Sequence, residues 1–85
     1  MDASDVQKFV ERFAEVVEVS PGSLSVNTRF REEVPYWSSL LGFGLLTMIQ
    51  MEYGVRLSLD EFMKAETVDD LRQAVLHCQQ SSAQS

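Results

Sequence analysis

One cysteine, Cys78, one histidine, His77, four glycines and two prolines stand in a chain of 85 residues. A lone cysteine excludes an intrachain disulfide framework and any multi-cysteine metal cluster, so stability has to come from packing. So little glycine and proline, beside 45% apolar and 24% charged residues, excludes a collagen-like or wholly disordered chain. Basic residues are scarce too: 7 against 13 acidic ones, a net charge of -6. That is the opposite of the basic footprint of a nucleic-acid binder; it suits solubility and electropositive partners. Residues 34–51 hold no charged side chain, yet Pro35, Tyr36, Ser38, Ser39, Gly42, Gly44, Thr47 and Gln50 interrupt them. The apolar part falls short of the roughly 20 residues a bilayer span needs, so no stable membrane insertion is expected. The opening MDASD has no basic start followed by an apolar stretch, so no signal or transit peptide is expected and a cytoplasmic location is the default.

What is present supports one small core. Val6, Phe9, Val10, Phe13, Val16 and Val17 recur at three- and four-residue spacing, with Asp5, Lys8, Glu11, Arg12 and Glu15 between them. This pattern predicts an amphipathic first helix from about residue 4 or 5 to 18, capped by Ser4 and stopped by Pro21-Gly22. A loop of about 18 residues follows, anchored by Leu24 and Phe30; a loop so long in a small bundle carries a site or packs on the helices.

Pro35 disfavours helix at Val34, and the hydroxyls of Ser38 and Ser39 precede a new apolar-periodic run. In this second helix Leu41, Leu45, Ile49 and Tyr53, with Met48 or Glu52 beside them, form the inward stripe. Leu40, Phe43 and Met51 do not fit that stripe and are left exposed or against the loop. Gly42 and Gly44 each cost helix propensity of about 1 kcal/mol relative to alanine, which close packing, close approach by another molecule or simple drift would explain. Gly54 ends the helix. Val55, Leu57 and Leu59 alternate like a short strand, but no second strand is there to pair with it. Ser58 with Glu61 forms a capping box for a short helix over 59–64, and Thr67 with Asp70 forms another for a last helix over 68–78.

The expected fold is all-α: three main helices plus one short helix, with a long loop between the first and second. Residues 1–80 form a single domain, and 81–85, in the unanchored QQSSAQS, form a flexible tail.

The stretch WSSLLGFGLLTMIQMEYGV, followed by LSLDEF and ETVDDL, resembles the acyl carrier protein family with its peptidyl-carrier relatives. The likeness covers about residues 5 to 77. It implies an acyl-carrier-like bundle in which Ser39 receives a 4′-phosphopantetheine arm derived from coenzyme A, with Trp37, Ser38 and Leu40 flanking it. Ser38 occupies the family's usual aspartate position, a departure that bears on recognition by the transferase. The resemblance implies an acyl or aminoacyl carrier for fatty-acid, polyketide or peptide-type synthesis, not itself an enzyme. The alternative is an unmodified carrier-like interaction module. Implied partners are a phosphopantetheinyl transferase and the loading and condensing enzymes.

The family often presents several carboxylates along the helix after the serine, where this chain has only Glu52 within residues 40–53. Docking is therefore expected to rest on Leu40, Phe43, Thr47 and Met51, with salt-sensitive steering from Glu32, Glu33 or Glu61. An unactivated serine is a poor nucleophile, and the only histidine, His77, lies near the fraying end with no fixed Asp-His arrangement around Ser39, so no catalytic residue is expected. Adjacent His77 and Cys78 do not complete a metal site. Either Ser38 caps the second helix and Ser39 carries the arm, or their roles differ in the unmodified form. Tyr36 is expected to pack structurally, whereas Trp37 is open between shielding the loop and touching a partner.

Overall fold

Five helices and a 3₁₀ turn follow one another in the computed structural model, which describes the backbone of residues 3–84 and the side chains of residues 5–79. They are α1 (Ala3–Val16), the 3₁₀ turn Pro21–Ser23, α2 (Phe30–Glu33), α3 (Ser39–Tyr53), α4 (Leu59–Lys64) and α5 (Val68–Gln84). The expected all-α bundle of three long helices and a short fourth is present, with α2 as an addition inside the long loop. The backbone of Ser4 lies within α1, not before it; its side chain, and with it the expected cap, lies outside the described residues.

The first helix ends at Val16, two residues before its expected end, and the turn that closes it is at Glu18, not at Pro21-Gly22. Glu18 takes a left-handed backbone with φ 59. Its amide donates to the Glu15 carbonyl at 3.3 Å, and the Val19 amide to the Ala14 carbonyl at 3.0 Å. These are the two bonds of a Schellman closure, with a glutamate where glycine is the usual occupant. A side chain pays roughly 1–2 kcal/mol in that conformation, and no side-chain bond compensates the exposed Glu18. Glu18→Gly is expected to stabilise the domain by about 0.5–1 kcal/mol, after the extra unfolded-state entropy of glycine is subtracted. Thermal unfolding should show a midpoint a few degrees higher, and a lower midpoint would contradict the strain.

α1 and α3 run antiparallel. The Phe9 ring meets Tyr53 near the end of α3 at 5.7 Å between centroids, while Val16 meets Gly44 near its start. A Cβ at Gly44 would stand 3.0 Å from Val16 Cγ1, so close packing accounts for this glycine. Phe9, Phe13, Phe30, Leu45, Ile49, Val68, Leu71 and Val75 are fully buried and form the shared core of the long helices and the loop. The inward stripe of α3 holds as expected, with Leu45, Met48 and Ile49 buried and Leu41 and Tyr53 partly so.

Both expected N-caps form, and the box is complete at Thr67–Asp70, whereas at Ser58–Glu61 the carboxylate takes the serine hydroxyl in place of the backbone amide. The Ser58 Oγ accepts from the Glu61 amide at 3.1 Å and donates to its carboxylate at 3.1 Å. The Thr67 Oγ1 accepts from the Asp70 amide, and Asp70 accepts from the Thr67 and Glu66 amides, each at 3.1 Å. Those two backbone bonds hold the Asp70 carboxyl below the usual carboxylate range, Thr67 contributing most. α5 continues to Gln84, six residues beyond the expected end, because the glutamines, serines and alanine that follow Cys78 lack an anchor but contain no helix breaker.

The long loop is pinned to the start of α5. The Val68 amide donates to the Thr28 carbonyl at 3.1 Å and the Asp69 amide to the Val26 carbonyl at 2.9 Å. Two of the amides that a helix start leaves over are thereby used, which fixes the loop through backbone alone.

Candidate functional site

The site begins where the loop turns into α3. Ser38 is the residue before the helix, extended at φ -150 and ψ 169, and its side chain makes no capping bond. Its carbonyl accepts from the Leu41 and Gly42 amides at 3.1 and 3.3 Å. Ser39 is the first helical residue and is exposed. The Ser39 and Leu40 amides precede the intrahelical ladder, so a positive helix end lies beside the Ser39 hydroxyl.

Trp37 holds this junction in place. Its indole stacks on Phe62 at 6.5 Å with 18° between planes and leans on Phe30 at 5.4 Å. These contacts pack the half-buried indole against the core, one face of the junction from which Ser39 projects. Tyr36 does the opposite of what was expected: it is 96% exposed and packs on nothing, because a left-handed backbone with φ 59 turns it out of the bundle. Pro35 and Tyr36 form the turn that brings Trp37 back onto the core.

Ser39 stands on the wall of a largely apolar cavity of about 310 Å³ between α3 and α4. Gly42 and Phe43 come from α3, Leu59, Phe62 and Met63 from α4, and Trp37 and Arg31 close the loop side. Gly42 keeps the space: a Cβ there would sit 3.3 Å from Phe62 Cε2 and 3.7 Å from Trp37 Cζ2.

Arg31 was not anticipated. Its guanidinium donates to the carbonyls of Phe62 at 3.3 Å, Met63 at 3.0 Å and Ala65, and it lies over the Phe30 ring at 5.0 Å and the Phe62 ring at 5.9 Å. The arginine thus ties α2 to the last turn of α4. No local pattern places residue 31 against residues 62–65; only a buried aromatic as its neighbour, Phe30, hinted at it.

The structure brings Ser39, Trp37 and Phe43 together at one cavity. Leu40, Thr47 and Met51 lie outside it, exposed along α3 in one row with Phe43, since positions 40, 43, 47 and 51 recur at helical spacing. Leu40 is 78% and Met51 81% exposed. The three acidic residues singled out for steering all have internal partners. Glu32 pairs with Arg29 at 3.6 Å, Glu33 accepts from the Arg29 amide at 2.6 Å, and Glu61 is bound by Ser58 and by the Cys78 thiol at 3.3 Å.

Burial first, and the adjoining Glu61 carboxylate second, push the Cys78 thiol up, away from the thiolate that nucleophilic chemistry requires. Among the described residues no three His, Cys, Asp or Glu side chains are grouped to hold a metal ion, and no helix is long and apolar enough to cross a membrane.

A family profile described as phosphopantetheine attachment site matches residues 7–75, a span containing Ser39, the cavity and all three long helices in whole or part. No curated protein and no solved structure matches the chain.

Proposed function

The chain belongs to the phosphopantetheine attachment site family, whose members are carriers holding 4′-phosphopantetheine covalently, and from that membership we propose that Ser39 is the attachment residue. The observation that carries this reading is the Ser39 hydroxyl itself: exposed, at the first residue of α3, and inside the matched span. The residues suit the group. A hydroxyl is available to a transferase, the helix start favours a phosphodiester's charge, and the adjoining wall is apolar. When attached, the arm supplies a terminal thiol that holds an acyl or aminoacyl group as a thioester.

The chain's own part is presentation. Trp37, locked between Phe30 and Phe62, fixes the exit of Ser39 from the bundle. Binding and chemistry are left to partners, which for carriers of this family are the arm-installing transferase and synthase enzymes. Within that general role we assign the protein to fatty-acid, polyketide or peptide-type synthesis as a non-catalytic substrate of those enzymes. Incubation with coenzyme A and a broad-specificity transferase should add the mass of one arm. An unchanged intact mass of the folded protein, under conditions that modify a known carrier, would leave the unmodified interaction module as the reading.

Docking on the exposed row of α3 is an apolar contact, since only Glu52 among residues 40–53 is charged. Leu40→Asp or Met51→Asp should lower kcat/KM of the transferase by about tenfold, the equivalent of 1.4 kcal/mol. Glu32→Lys should change it less, because Glu32 is already paired with Arg29. A loss larger for Glu32→Lys than for the α3 variants, and erased by salt, would place recognition on the acidic residues instead.

A further inference from the structure

The cavity beside Ser39 is apolar apart from Ser39 and one cation, Arg31; carbonyl groups hold that cation in place, and Glu32 and Glu66 border it only across a separate cleft, without an ion pair. Arg31 spends three N–H groups on the carbonyls of Phe62, Met63 and Ala65. A guanidinium has five N–H donors, so two remain. No carboxylate pairs with Arg31 among the described residues, whereas Arg12, Arg29 and Arg72 each have at least one. The side chain is also clamped over two aromatic rings. Its rotamers are fixed before any ligand arrives, so little ordering cost falls on binding.

A cation fixed in an otherwise apolar wall calls for a ligand with one anionic group joined directly to a compact apolar one. The root of the arm has that chemistry: a phosphodiester, charged at every physiological pH, followed one methylene later by a carbon bearing two methyl groups. It would also be the part of the arm nearest Ser39, which lines the same cavity. The volume of about 310 Å³ lies at the lower end of small-ligand pockets, roughly 300–1,000 Å³, enough for the root but not for the whole arm with its cargo.

We propose that this cavity is a berth for the root of the arm, with the Arg31 guanidinium pairing the phosphodiester and Phe43, Leu59 and Met63 receiving the geminal dimethyl group. The inference rests on Ser39 being the attachment residue. In an acidic chain of net charge -6, a local cation offsets the repulsion that the bundle would otherwise exert on the phosphodiester. The arm then pivots from beyond the dimethyl carbon, with its thiol end outside the cavity.

The test uses holo protein made from coenzyme A labelled in the pantoyl methyl groups, with attachment first established by intact mass. The methyl protons should show nuclear Overhauser contacts to the Trp37 ring and to Leu59 and Met63, and Trp37 emission should differ between the apo and holo forms. Arg31→Gln should remove both signals. Because Arg31 also braces α4, Leu59→Glu serves as the second variant: Leu59 is 61% exposed, so the fold tolerates the change, while a carboxylate in the wall repels the phosphodiester. It too should return Trp37 emission to the apo value. Holo protein of the correct mass whose methyl resonances match free coenzyme A and show no contact to the cavity would overturn the berth and leave the carrier reading standing. Contacts that appear only from an attached acyl group would overturn it as well, by giving the cavity to cargo. Absence of any mass gain removes both.

Discussion

Ser39→Ala is expected to abolish arm attachment, while Ser38→Ala is expected to retain it. The two hydroxyls are adjacent and both exposed, so exposure does not separate them; position does. Ser39 lines the cavity with Arg31 and Trp37, and Ser38 does not. A phosphodiester on Ser39 would lie beside the leftover amides of the first turn, where negative charge is favoured by roughly 0.3–1 kcal/mol. Neither substitution should unfold the domain. The Ser38 side chain makes no capping bond, and exposed positions of this kind usually change stability by no more than about 0.5 kcal/mol. The expected difference is therefore all-or-none in intact mass against an unchanged helical spectrum. A full mass gain that persists in Ser39→Ala would move the chemistry to Ser38, and the double variant would then show whether any third hydroxyl takes part.

Features that depend on neighbours in sequence were legible, and features that depend on distant ones were not. The caps at Ser58 and Thr67 are three-residue signals and formed as the sequence implied, the Thr67–Asp70 box in full. The exposed row of Leu40, Phe43 and Met51 followed from the surplus of apolar residues over what one helix face can bury. The end of α1 was misplaced because its left-handed residue is a glutamate, not a glycine, which leaves no mark in the sequence. α2 was missed for a different reason. Four residues cannot nucleate a helix on their own; Phe30–Glu33 are helical because Phe30 is buried in the core and Arg31 is clasped by α4. The same dependence hid the loop side of the cavity, since Arg31 meets residues more than thirty positions away. Tyr36 was misjudged by its type: an aromatic beside a tryptophan reads as core, but the backbone turn that returns Trp37 to the bundle directs Tyr36 outward.

Phe30→Ala is expected to cost about 3–5 kcal/mol, the range for removing a fully buried aromatic side chain. The ring has no exposed surface and touches three others: Phe13 at 5.3 Å, Trp37 at 5.4 Å and Phe62 at 5.8 Å between centroids. At roughly 0.05–0.15 kcal/mol per residue, a chain of 85 residues has a total stability of about 4–13 kcal/mol, so one substitution removes a large share of it. The loss would also be felt at the site before it is felt globally. With the ring gone, the stack on Phe62 is the one ring contact left to Trp37, and Arg31 loses the nearer of the two faces it lies over, so the loop side of the cavity loosens while α1, α3 and α5 still hold their own contacts. Urea unfolding followed by helical circular dichroism should give a midpoint well below that of the parent. The near-ultraviolet signal of Trp37 should fade at lower urea than the helical signal does. Tyr36→Ala, at a position 96% exposed, is the matched control and should shift the midpoint by less than about 0.5 kcal/mol. Equal midpoints for Phe30→Ala and Tyr36→Ala would mean that the aromatic cluster does not hold the loop, and the geometry that presents Ser39 would need another cause.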